Sequence, residues 1–398
     1  MLTSGQRDWL RVRSYLQEHR HELTLDAAAD FPADRRIAGT PLLGAPGWLP
    51  PEPVPLQDIA LDFTPPPDLA SPSPARPSPA RPSPARPSPS SPGPSSPAES
   101  SAVLPDRSDG GRYLRYSDAI RDLAAPAVFE NRSTYRLTRV ELTGRVPRLG
   151  FSRGRYFDGI DTGEAAAHEY AAGRLAHPDG RPDPAGRRAG LRGAIGDPCD
   201  LRRRPANLAI STLTLRLDRP AGRTSFLLHW RDPAKVGHAG GLYQVIPVGV
   251  FQPSGEAAWN EQPDFSLWRS MIREFAEELR GRSEDYDSET RPVDYDSWPF
   301  ARRMTEALDR GQIRVWCLGL GVDPLTYAAD LLTVAVVDSA VFDELFSRRP
   351  RRNEEGRVLA PRDFAAPVID RLVTRDPVQA AGAAVLRLAW AHRDTLTG

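Results

Sequence analysis

Proline at residues 67–104 marks a linker and interrupts the folded parts of this chain. Of the 398 residues, 41 are proline, and this stretch carries a five-residue repeat, SPARP. The repeat stands at Ser73–Pro77, Ser78–Pro82 and Ser83–Pro87 and decays into SPSSPGPSSPAES. Proline has no backbone N–H and a fixed φ, so this density excludes helices and sheet ladders. It favours extended polyproline II, at about 3.1 Å per residue. The segment therefore reads as a disordered, semi-rigid linker. A second reading is a docking segment for a protein partner that binds proline-rich peptides, with Arg76, Arg81 and Arg86 as charge anchors. The parts around it are expected to be an N-terminal helix and extended segment (1–66), an accessory α/β region (105–205) and a larger domain with C-terminal helices (206–398).

Charge and cysteine content exclude several classes. Lys+Arg and Asp+Glu are 52 each, so the net charge is zero. That argues against a chain whose main task is to cover a phosphate backbone. Cys199 and Cys317 are the only cysteines, too few for a disulfide framework or a four-cysteine zinc site. The N-terminus lacks the apolar core of a signal peptide. No run of about 18 apolar residues exists to span a membrane. The expected compartment is the cytoplasm.

Periodicity predicts the elements. Trp9, Val12 and Leu16 mark a helix over 5–20, with Tyr15 more loosely on the same face. Residues 38–66 are proline-broken and extended, with Leu42, Leu43, Trp48 and Leu49 as anchors. A helix is predicted at 163–175, and a long loop at 178–205. Strands are predicted at 208–217, 224–230, 241–251, 313–322 and 331–337, and helices at 264–281, 299–310, 338–347 and 377–394. Strands interspersed with helices predict an α/β chain of α+β type, a mixed sheet with flanking helices.

The most informative segment is RSMIREFAEELRG, residues 269–281. On a helix, Leu267, Met271, Phe275 and Leu279 form one buried stripe. Glu274, Glu277 and Glu278 stand at i, i+3 and i+4, so their carboxylates gather on one side. Three like charges there repel unless a cation neutralises them. A hard divalent cation, Mg²⁺ or Mn²⁺, takes such oxygen ligands, with waters and substrate phosphates completing its shell. Arg273 is placed to pair with a carboxylate. The plainer reading is an amphipathic helix with a charged, solvated face, which would make the chain an interaction scaffold.

What precedes the helix adds to this. The predicted strand GLYQVIPVGVF runs into PSGE and then into the helix. That order, with the string R-E-F-A-E-E-L, resembles the Nudix family. Its signature is Gly, five residues, Glu, seven residues, then Arg-Glu-apolar-any-Glu-Glu-any-Gly. Arg273, Glu274, Phe275, Glu277 and Glu278 match the second half one for one. The resemblance covers about residues 206–346 and implies an α/β/α sandwich. It also implies a metal site, with Glu277 and Glu278 as ligands and Glu274 as ligand or base. The implied reaction is attack of water on a nucleoside-linked diphosphate. Two departures stand out. The closing glycine falls at Arg280, with Gly281 one residue late, and sixteen residues separate Glu256 from Arg273. Glu256, and after it Glu261, are the candidates for the first-half glutamate.

HWRDPAKVGHAGGLY contributes His229, Arg231, Lys235 and His238, of which Arg231 and Lys235 are expected to hold the phosphates of a nucleotide-type ligand, with Gly240-Gly241 allowing close backbone approach; the plainer reading is a polar hairpin between two strands. Lys235 is the only lysine of the chain. Arg273 completes the expected ligand-binding set. His168 and Glu169 lack the second histidine of a zinc motif, and Gly319-Leu320-Gly321 is too short for a dinucleotide fingerprint. FENRSTYRL, TPLLGAPGWLP and GGLYQVIPVGVFQPSG also resemble segments of actinobacterial regulator-like proteins, some of which carry a helix-turn-helix. Residues 23–39 have a proline where a second helix would need continuity, so direct nucleic-acid binding is not expected. The expectation is a nucleotide-binding or sensing domain in a regulatory chain, with a Mg²⁺-dependent hydrolase as the alternative.

Overall fold

The computed structural model describes residues 1–64, 103–126, 128–177, 190–231, 241–284, 286–347 and 356–398. The predicted linker lies outside them apart from Val103 and Leu104, and so do Lys235 and His238. In chain order the strands are β1 (Val54–Pro55), β2 (Ala60–Phe63), β3 (Ser133–Glu141), β4 (Arg148–Arg155), β5 (Leu208–Asp218), β6 (Arg223–Phe226), β7 (His229–Arg231), β8 (Tyr243–Gln244), β9 (Val248–Val250), β10 (Ile313–Val322), β11 (Ala329–Asp338), β12 (Gly356–Val358) and β13 (Arg362–Asp363). The longer helices are α1 (Ser4–Glu18), α2 (Arg20–Ala28), α3 (Tyr116–Leu123), α4 (Ala165–Ala176), α5 (Leu267–Arg280), α6 (Pro299–Asp309), α7 (Ser339–Phe346), α8 (Ala366–Arg375) and α9 (Ala380–Ala391).

A seven-stranded mixed sheet runs β1-β10-β11-β5-β6-β13, with β9 paired to β5. β11 and β5 are parallel, and β10 and β11 form an antiparallel pair. The period of two assigns the faces. Leu331, Ala335 and Val337 of β11 join one core with Met271, Phe275 and Leu279 of α5. Leu332, Val334 and Val336 join the other with α8 and α9. Helices therefore cover both faces, and the expected mixed α/β class with flanking helices is what the chain adopts.

Two smaller sheets complete the fold, β12-β7-β8 and β2-β4-β3. The segment before the linker belongs to two sheets. β1 pairs with β10, while β2 runs parallel to β4. The predicted strand 224–230 is split: β6 lies in the large sheet and β7 in a small one, with Leu227 and Leu228 in different cores between them. The predicted strand 241–251 is split too, because Pro247 has no N–H to give a ladder. The predicted loop 178–205 contains a short helix, Gly190–Ile195. Among the described residues no helix is long and apolar enough to cross a membrane.

α1 and α2 dock through buried charge. Arg20 reaches both carboxylate oxygens of Glu164 at 3.0 Å, and Arg13 lies 3.7 Å from the same group. Glu164 ends a π-helical turn, Ile160–Glu164, that leads into α4.

Candidate functional site

The carboxylate helix α5 begins where Ser266 caps it, its side chain accepting from the Arg269 N–H at 3.3 Å. It ends at Gly281, whose φ of 66° is left-handed and favours glycine. The glycine that is one residue late against the Nudix signature is thus the cap of a helix that runs through Arg280. The stripe Leu267, Met271, Phe275 and Leu279 is buried as predicted.

Glu274 and Glu278 lie beside β9, and Glu277 turns to Tyr286. Glu278 is buried, and its Oε1 accepts the Val248 N–H at 2.7 Å. Its Oε2 is 3.8 Å from Nδ1 of the fully buried His229 on β7. Glu277 accepts a hydrogen bond from the Tyr286 hydroxyl at 2.6 Å. Glu274 is half-buried and lies directly on Gly249: a Cβ there would fall 1.9 Å from its Cδ. Burial, and then the charges of Glu277 and Glu278, push the Glu274 carboxyl well above the usual carboxylate range.

Arg273 faces inward. Its Nη1 donates to Asp264 at 3.1 Å and to the Tyr295 hydroxyl, and its Nη2 donates to the Gln252 carbonyl at 2.6 Å. Tyr295 also donates to Asp264, at 2.6 Å, and the other oxygen of Asp264 accepts the Ser254 N–H at 2.7 Å. Burial works against the Arg273 charge, but Tyr295 and Asp264 outweigh it and hold its pKa above the ordinary arginine value. The guanidinium ties α5 to the loop before it and is spent there. Arg231 stands on β7, at the mouth of the β7–β8 hairpin, where its N–H donates to the Leu242 carbonyl at 3.0 Å.

Asp264 is the residue that a search for a glutamate passes over. It stands nine positions before Arg273, one more than the eight that the Nudix signature sets for its first glutamate. The two glutamates proposed for that place go elsewhere. Glu256 accepts from Arg155 of β4 at 2.5 Å, and Glu261 takes both donors of Arg153 at 2.6 and 2.9 Å. Against burial, the Ser133 N–H and then Arg155 and the Ser133 hydroxyl hold the Glu256 carboxyl below its ordinary range; Arg153 does the same for Glu261.

Among the described residues no group of three or more His, Cys, Asp or Glu side chains is arranged to hold a metal ion. A Mg²⁺ ion carried in on a nucleotide needs less: one or two carboxylates, the rest being phosphate oxygens and waters. Glu274, with no hydrogen bond or ion pair to a described residue, suits that part, and Glu278 stands one turn on. Such an ion would neutralise phosphate charge against the carboxylates. No protein-family model matches this sequence, and no curated protein matches it.

Proposed function

We propose that this chain carries a Nudix-like domain that binds a nucleotide-type ligand as its Mg²⁺ complex, for sensing within a regulatory protein. The observation that carries this reading is the placement of Glu274 and Glu278 on the backbone of Val248–Gly249, the strand that leads into the R-E-F-A-E-E helix. Binding is favoured over hydrolysis by the other partners. Arg273, Glu277, Glu256 and Glu261 are each engaged in internal bonds, so a full hydrolytic metal set is not at hand. One observation favours the Mg²⁺-dependent hydrolase as the second reading. Glu274 stands beside Gly249 with no hydrogen bond or ion pair to a described residue, and burial raises its carboxyl above the usual range, the direction a general base needs.

The test is product release from a panel of nucleoside diphosphate derivatives with Mg²⁺ and with Mn²⁺, alongside equilibrium binding in the same samples. Metal-dependent binding without product is the expected result. Metal-dependent turnover that vanishes in Glu278→Gln would establish the hydrolase. Neither binding nor turnover would leave the acidic helix as a solvated face and the chain as a scaffold.

A further inference from the structure

Among the described residues, one exposed arginine beside the carboxylate helix has aromatic rings and no acid for partners. Arg282 follows the Gly281 cap, and its guanidinium carbon lies 4.8 Å from the ring centre of Tyr286 and 4.5 Å from that of Trp298. The two rings are 5.6 Å apart at 60°, forming a corner on which the guanidinium rests. Among the described residues, Glu284 accepts from Arg132 at 2.6 Å, and Glu277 accepts from Tyr286. Among the described residues the Arg282 side chain makes no ion pair and no hydrogen bond.

Two rings back the Arg282 guanidinium while the residue itself is exposed, so part of the group faces solvent. A guanidinium held in this way is a surface on which a nucleobase can stack, as bases do on aromatic rings and arginines in single-strand recognition. The rings fix the side chain in advance, so a ligand does not have to order it. Tyr286 links this plane to the carboxylates, because the hydroxyl that donates to Glu277 at 2.6 Å belongs to the ring under Arg282.

We propose that Arg282, backed by Tyr286 and Trp298, is the base-stacking platform of the nucleotide site. This rests on the nucleotide-binding reading above and names the part of the ligand that the platform takes. The phosphates and their Mg²⁺ then lie toward Glu274, and the base lies at the C-terminal end of α5.

The experiment titrates the full chain with ADP and, separately, with inorganic pyrophosphate, both with Mg²⁺. It compares the wild type with Arg282→Ala, Trp298→Ala and Trp298→Phe. The expected result is that Arg282→Ala and Trp298→Ala weaken ADP at least about fivefold, the lower end for loss of a stacked base. Pyrophosphate binding should be unchanged in both, and Trp298→Phe should keep most of the ADP affinity. Arg282 is exposed, so its variant stays informative even if Trp298→Ala fails to fold. Equal ADP affinity in the wild type and Arg282→Ala would overturn the platform while leaving nucleotide binding standing. Equal weakening of ADP and pyrophosphate would also overturn it, since the contact would then be to phosphate. A wild-type chain that binds no ADP or other nucleoside diphosphate would overturn both proposals.

Discussion

The Glu274 carboxyl rests on the bare Cα of Gly249, so closely that a methyl group there would come within 1.9 Å of its Cδ and Oε1 and 2.2 Å of its Oε2. The φ of Gly249 is not in the left-handed region, so the glycine is needed for space and not for backbone freedom. Gly249→Ala should therefore push the carboxylate off the strand while leaving the fold nearly intact, because a flexible side-chain end can yield. The expected stability change is within about 1 kcal/mol, read by urea denaturation. The expected loss of Mg²⁺–ADP affinity is about tenfold or more, about 1.4 kcal/mol, read by calorimetry. A large stability loss with unchanged affinity would show that Gly249 serves packing alone.

The Arg273–Asp264 pair is a buried ion pair: the two side chains are 5% and 2% exposed. Removing one partner leaves the other charge unpaired in the interior, which costs about 3–5 kcal/mol. Arg273→Ala should lose about that much in urea denaturation. Asp264→Glu should retain more of the stability than Asp264→Ala, since it keeps a carboxylate near Tyr295 and Arg273. Equal losses for the two Asp264 variants would contradict the assignment of Asp264 as the charge partner.

Asp330 stands near the start of β11, an inner strand of the large sheet, where Ser211 donates to it at 2.8 Å. Burial pushes its carboxyl up to about 7, with Ser211 opposing and Asp323 adding to the rise. The folded chain thus holds this proton more tightly than the unfolded chain does. Its contribution to stability is full below the ordinary aspartate value and is lost as pH rises toward 7. Relative to Asp330→Asn, the wild type should lose up to about 1.4 kcal/mol per pH unit between about pH 4 and 7. The difference should level off above that. Paired denaturation curves across this range check it, and a constant difference would contradict it.

Much of the framework is legible in the sequence because it is periodic. The four-residue recurrence of Leu267, Met271, Phe275 and Leu279 marks a helix with one buried face, and that is what α5 is. β10 spans the predicted 313–322, and β11 extends the predicted 331–337 by two residues at its start and one at its end. What was not legible is non-local. β1 pairs Val54 with Cys317, and nothing in the extended run around Trp48 names that partner. The apolar run 224–230 looks like one strand because Leu227 and Leu228 are buried on either side of a change of sheet.

The site divides in the same way. The spacing of Glu274, Glu277 and Glu278 is a local property of a helix, so their common face was readable. Their partners, Val248, Tyr286 and Gly249, come from other segments and were not. Asp264 could have been found as the acid nearest the signature's register. Tyr295 and Tyr286 carry no sequence signal, because loop residues reach Arg273 and Glu277 only through the folded path of the chain.

The most direct test of nucleotide binding at the carboxylate helix is calorimetric titration of the full chain with ADP and Mg²⁺ across pH 6 to 8.5. The wild type is compared with Glu274→Gln. The raised Glu274 carboxyl holds a proton that the metal complex must displace. The affinity should therefore require Mg²⁺ and strengthen with rising pH more steeply in the wild type than in Glu274→Gln, where the phosphate of ADP still titrates, and Glu274→Gln should bind about tenfold or more weakly. Binding that is absent, or that is the same in Glu274→Gln with and without Mg²⁺, would contradict it.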